Sequence, residues 1–233
     1  MKINLHRLAI VMVGITMVMA MPFTANAQTR SREYIRQQIR EQNSCRNVAI
    51  TKYNGDLMLY GTNGWAASGC PKDLTDALGE LNSKGEYITD VQLTEEGCWL
   101  ILYGDNGAIW NDIPATLEAK LKEWNKKQEI ITSVTFNDMG EWIAVSTNYI
   151  SASDEDIQDW IVEGMEDFGC VWATCITDDA LVVVYEGGFG TSGNIPSTLT
   201  KCLKTTDINV YRIKIAGEAW FISDGKRKYD YNM

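Results

Sequence analysis

The sequence predicts an α+β repeat protein. It would have five units of about 40 residues, each strand, strand, short strand and helix, arranged as a closed pseudo-fivefold, propeller-like ring. Three observations carry this expectation. The stretch from Ile88 to Glu129 recurs in degraded copies before and after itself. Equivalent second-strand positions, Tyr60, Tyr103, Ser146, Tyr185 and Ser223, stand 43, 43, 39 and 38 residues apart. Four helices separate five strand groups, and a fifth helix precedes them all, placed to fill the gap beside the last unit. An open stacked array of the same units is the alternative, and it would leave two ends to be capped.

Residues 1–27 read as a signal peptide: basic Lys2 and Arg7, an apolar run from Leu8 to Met21, and the small-x-small site Ala25-Asn26-Ala27. Residues 28–233 then form one repeat domain, with helix-then-strands units near 32–69, 70–112, 113–152, 153–194 and 195–233. No other segment is long enough to span a membrane. The chain is therefore expected to be exported, periplasmic or extracellular, with no membrane insertion after cleavage.

In the first copy, Tyr34, Ile35 and Ile39 give the segment 32–43 an apolar helical stripe. Strands follow at 45–52, 57–60 and 65–68, separated by the turn signals Asn54-Gly55 and Gly61-Thr62-Asn63-Gly64. Pro71 opens a helix that uses Leu74, Leu78 and Leu81. The second copy has Val91 and Leu93 alternating with polar residues, then the dense run Trp99 to Tyr103, the turn at 104–107, the short strand 108–111, and a Pro114-led helix with Leu117, Leu121 and Trp124. In the third, strands at 131–136, 142–145 and 148–152 precede a helix over 154–168, with Ser153 as the expected N-cap and Gly169 as its stop. The fourth runs 170–177, 181–185 and 189–194, then Pro196 with Leu199 and Leu203. The fifth, 208–215, 219–222 and 226–231, has no helix after it, and its Trp220 sits one place off the column of Trp99 and Trp142.

The full chain carries a formal net charge of −10. Signal cleavage removes Lys2 and Arg7 and no acid, leaving 19 basic against 31 acidic residues, a charge of −12. This excludes nucleic acid and anionic membrane surfaces as natural partners, since both need a basic footprint. The single histidine, His6, lies in the signal peptide. Its loss removes Ser-His-Asp and Cys-His catalysis, histidine metal sites and histidine pH switches together. Six cysteines permit up to three disulfides, and one or two at most are expected, because Cys70 and Cys202 stand where other units carry apolar residues. Zinc is disfavoured, there being no C-x-x-C pair. No cofactor, metal or catalytic residue is expected.

Gly97, Trp99, Leu102, Tyr103, Gly104, Asn106, Gly107, Ile113, Pro114 and Leu117 spell G-x-W-x-x-L-Y-G-x-N-G followed by I-P-x-x-L. This resembles the units of uncharacterised secreted and surface bacterial tandem-repeat proteins, and the resemblance extends over nearly all of the chain after residue 27. It implies a propeller-like repeat fold and no known catalytic residue. A fivefold ring of strands and helices is also similar to the penteins, whose catalytic members use a histidine with cysteine and acids. A chain without histidine cannot be such an enzyme.

The expected role is a non-enzymatic binding or scaffold module for a peptide, protein or glycan. The third strands place Trp65, Trp110, Tyr149, Phe189 and Tyr229 at equivalent points of successive units, beside the turn residues Asn63 and Asn106. Gathered on one rim, aromatic faces and amides suit such ligands; packed between units, they would be core. Carboxylate-only hydrolysis through Asp105, Asp112, Glu186 or Asp224 is a second reading. A purely structural assembly role is the third.

Overall fold

The structure, a computed structural model, describes residues 28–233; the expected signal peptide lies outside the described residues. The chain opens with helix α1 (28–42). Five three-stranded antiparallel sheets follow. They are β1 (Asn47–Ala49), β2 (Asp56–Tyr60) and β3 (Gly64–Ser68); β4 (Ile88–Leu93), β5 (Trp99–Tyr103) and β6 (Gly107–Asn111); and β7 (Ile131–Phe136), β8 (Trp142–Ser146) and β9 (Ile150–Ala152). The last two are β10 (Val171–Ile176), β11 (Ala180–Tyr185) and β12 (Phe189–Gly193), then β13 (Arg212–Ala216), β14 (Ala219–Ser223) and β15 (Tyr229–Asn232). Between them run α2 (Lys72–Ser83), α3 (Ala115–Lys127), α4 (Glu155–Phe168) and α5 (Ser197–Thr205). The sheets stay separate, and each unit is three strands with a helix.

What joins the units is side-chain packing. Each strand turns alternate residues to opposite faces, so each sheet buries one set toward the preceding helix and one toward the following helix. In β5, Trp99 and Ile101 join Leu74, Leu78 and Leu81 of α2, while Leu100 and Leu102 join Leu117, Leu121 and Trp124 of α3. The same scheme gives a seam between the third and fourth units and another between the fourth and fifth. A fifth seam holds Ile35 and Ile39 of α1 with Val48 and Met58 of the first unit and Ala216, Phe221 and Met233 of the last.

Within four of the seams a side chain at the start of the second strand bonds the helix before it. Trp99 Nε1 donates to Asp73 Oδ2 at 3.1 Å, Trp142 Nε1 to Thr116 Oγ1 at 2.8 Å, and Trp220 Nε1 to Thr198 Oγ1 at 2.9 Å. Each partner lies two residues after a helix-opening proline, Pro71, Pro114 or Pro196. In the first unit Asp56, fully buried, takes Arg32 of α1 at 2.7 Å instead. Trp220 therefore belongs to the tryptophan column after all. A two-residue hairpin, Gly217-Glu218, between paired Ala216 and Ala219 replaces the five-residue loops before Trp99 and Trp142, shifting the register by one. Ser223 still closes its strand opposite Arg212, as Tyr103 does opposite Ile88. We predict that Trp142→Phe, which keeps the ring packing and loses the bond to Thr116, lowers unfolding free energy by about 0.5–1.5 kcal/mol, measurable by urea denaturation.

Other differences from the expected elements are local. The N-cap of α4 is Asp154, whose carboxylate accepts from the Asp156 and Ile157 amides; the Ser153 hydroxyl instead accepts the Trp142 amide and ties the helix entry to β8. Gly169 does end α4, at φ 82°, a left-handed value that suits glycine. All six cysteines are free thiols, within the expected limit of two disulfides. Cys45, Cys70 and Cys98 sit in three different seams, out of one another's reach, and Cys170 is exposed. Burial pushes the Cys70 and Cys202 thiols up to about 12, as for small core side chains. Among the described residues no helix is long and apolar enough to cross a membrane.

Candidate functional site

The first strands β1, β4, β7, β10 and β13 contact one another in that order, and β13 and β14 contact β1. Apart from Trp172 and Ile176 of β10, their side chains that do not enter the seams are polar. Asn47, Asp90, Ser133, Thr174 and Lys214, one from each unit, are all buried. Asp90 Oδ1 accepts from Asn47 Nδ2 at 2.6 Å and from Lys214 Nζ at 2.8 Å, and Asp90 Oδ2 accepts from Gln92 Nε2 at 3.2 Å. Ser133 and Thr174 share a hydroxyl bond at 3.1 Å. A buried charge pair satisfied in this way specifies which units meet, because a wrong neighbour leaves Asp90 or Lys214 uncompensated.

Beyond this polar set, toward the C-terminal ends of β1, β4, β7 and β10, lies a cavity of about 60 Å³ lined by residues of all five units. That is room for a few water-sized groups. Lys214 joins the cavity wall to the buried set. Lys52 reaches across the opening to Asp179, at 3.1 Å, and Glu95 accepts the Lys52 and Tyr53 amides. Burial raises the Glu95 pKa against those hydrogen bonds and Lys52, and Asp138 raises it further. Asp138 Oδ2 accepts the Glu96 amide at 3.2 Å, while its buried Oδ1 meets no hydrogen-bonding group. The buried Thr94 hydroxyl also makes no hydrogen bond of ordinary length; the Cys98 thiol beside it feels it as a stabilising neighbour, outweighed by burial. Cys175 in the wall is pushed up to about 11 by burial, so it stays a thiol at neutral pH and is not an activated nucleophile.

At the opposite ends of these strands the chemistry differs. The buried Arg46 guanidinium lies 4.6 Å over the Tyr87 ring and donates through Nη1 to Tyr87 Oη and to Ile88 O. Arg212 donates to the carbonyls of Thr89 and Thr132, at 3.3 and 3.2 Å. Both residues stand at β-bulges of β4 and β7, where a ladder break frees a carbonyl. This end is a structural clasp of arginines on backbone oxygens.

The sequence-predicted rim residues are distributed. Trp65 packs in the seam between the first and second units, Trp110 between the second and third, Phe189 between the fourth and fifth, and Tyr229 between the fifth and first. All four are half-buried. Tyr229 stacks on Phe221 and Tyr231, both at 6.2 Å between centroids. Tyr149 alone is open, 52% exposed, with Lys127 Nζ 5.9 Å from its ring centre. Asn63 bonds Asn82 at the end of α2 and accepts the Ile88 amide, and the Asn106 carbonyl takes Asn125 of α3, so both tie a turn to the following helix. None of the five aromatic rings pairs with another of the five among the described residues. The third strands therefore offer four seam residues, and the exposed Tyr149 lies just before β9.

The carboxylates weighed for hydrolysis also stay apart. Asp105 and Asp112 flank opposite ends of β6, Glu186 follows β11, and Asp224 caps its own turn through the Lys226, Arg227 and Lys228 amides. Among the described residues no three His, Cys, Asp or Glu side chains gather closely enough to hold a metal ion. A scan against protein-family models finds no match for this chain, and a search of curated proteins finds none either.

Proposed function

We propose that this is an exported, non-enzymatic binding protein whose five units close into a pseudo-fivefold ring and hold a ligand in the pocket at one end of the ring axis. The observation that carries the reading is the cavity to which every unit contributes. Contacts that skip units support the ring: Lys214 of the fifth unit reaches Asp90 of the second, Lys52 of the first reaches Asp179 of the fourth, and Arg212 of the fifth takes carbonyls of the second and third. In an open array those units would be held apart by the ones between them. Export rests on the sequence of residues 1–27. The binding reading moves recognition from the third-strand aromatics to the ends of the first strands.

A thermal-shift screen of small polar compounds, peptides and glycans tests this, because a ligand of the native state raises the melting temperature by mass action. We expect hits on the intact domain that vanish in Thr177→Trp, which places a large side chain at the pocket wall, and persist in Tyr149→Ala. Hits lost in Tyr149→Ala and kept in Thr177→Trp would return recognition to the third strands. A screen with no hit would leave the structural assembly role.

A further inference from the structure

We infer that the axial pocket selects a primary ammonium group. This rests on the pocket being a binding site. The two lysines in its wall are already engaged, Lys52 with Asp179 at 3.1 Å and Lys214 with Asp90 at 2.8 Å. Its acids Glu95, Asp138 and Asp178 make no salt bridge of their own, although Lys52 lies close enough to Glu95 to act on it through space. The wall thus carries more negative charge than its own cations balance. A buried oxygen without a partner is less stable than one that is bonded. Here one such oxygen, Asp138 Oδ1, lines the cavity, and the hydroxyl of Thr94, which is 7% exposed and has only the Cys98 thiol beside it, lies in the same wall. An acceptor and a hydroxyl beside unbalanced carboxylates ask for a cation that donates several hydrogen bonds. An ammonium has three such donors on one compact charge.

The alternatives fit less well. A divalent metal would need six or more oxygens or a compact carboxylate set, and the described residues hold no triad of the required kind. An anion would meet Lys52 and Lys214 only by displacing the carboxylates they already bind. The cavity of about 60 Å³ has room for an ammonium on a short methylene stem. A strongly acidic protein also attracts cations over distance.

Calorimetric titration of the folded domain with n-butylamine, 1,4-diaminobutane, butan-1-ol and butyrate tests the class. We expect both amines to bind at least tenfold more tightly than the alcohol and the acid. Asp138→Asn keeps an oxygen for the Glu96 amide but turns the free acceptor into a donor, and should weaken the amines at least tenfold without changing the fold. Thr177→Trp should abolish binding. Two peptides separate the sources: one with a free N-terminus and no lysine, one N-acetylated with an internal lysine; binding of either supports the inference and says which amine is presented. Ligands of any charge that bind equally well and are lost in Thr177→Trp would overturn ammonium selection while leaving the pocket as the site. Calcium or magnesium that displaces the amines stoichiometrically would assign a metal site and overturn it too. No binding by any probe, together with an empty screen, would remove both readings.

Discussion

Ile39→Ala is expected to lower the unfolding free energy by about 2–5 kcal/mol, and to do so for the whole domain in one transition. Ile39 is 1% exposed, on α1, in the seam with Val48 and Met58 of the first unit and Ala216, Phe221 and Met233 of the fifth. Its truncation leaves a cavity where two distant parts of the chain meet. In a closed ring no unit is terminal, so weakening one seam is felt in the global opening reaction. Amide exchange in β8, on the far side of the chain, reads this directly. Protection at Ile143 and Ala144, both fully buried, should fall by the same free energy as protection at Val48. In an open array α1 would be an end cap. The first unit would then fray alone, β8 would keep its protection, and the denaturation curve would split. That second outcome would end the ring reading while leaving the five units untouched.

The repeat was legible because its signals are local. Proline-led helices, glycine-containing turns and alternating strands each declare themselves within a few residues, and their phase exposes the period. The misplaced Trp220 marks the limit of that logic. A shorter hairpin changes the register without changing the role, and only the bond to Thr198 shows that the role is kept. The pocket was not legible, for a physical reason. A polar residue alternating with apolar ones in a strand ordinarily marks a solvent face. Asn47, Asp90, Ser133, Thr174 and Lys214 follow that pattern yet are buried, Asn47 and Lys214 on Asp90 and Ser133 on Thr174. No single unit forms the pocket; each supplies three or four residues of its wall. The spacing of 43 that relates Asn47 to Asp90 and Asp90 to Ser133 was the available signal, a polar position repeating in phase. Of the aromatics at the third strands, Trp65, Trp110, Phe189 and Tyr229 pack in seams, since a large ring fills a gap between units as readily as it faces a ligand.

Removing the Asp90 carboxylate should cost more than removing the Lys214 ammonium, and that asymmetry distinguishes a structural pair from an incidental one. Asp90 and Lys214 come from the second and fifth units and are both buried. In Lys214→Met, Asp90 keeps two amide donors, Asn47 and Gln92, so the remaining charge is still solvated by the protein. The expected loss is about 1–3 kcal/mol. In Asp90→Ala, Lys214 loses its one hydrogen-bond partner, and the Asn47 and Gln92 amides lose theirs. An uncompensated buried charge costs about 3–5 kcal/mol, so this variant should be the least stable of the set. The double variant Asp90→Ala, Lys214→Met removes the stranded charge and should recover at least about 1 kcal/mol relative to Asp90→Ala alone. Urea denaturation of the four proteins gives the coupling energy. A coupling below about 0.5 kcal/mol would mean that the second and fifth units do not meet through this pair. A larger one, unaffected by added salt as expected for a buried pair, would join units that the sequence keeps two helices and six strands apart.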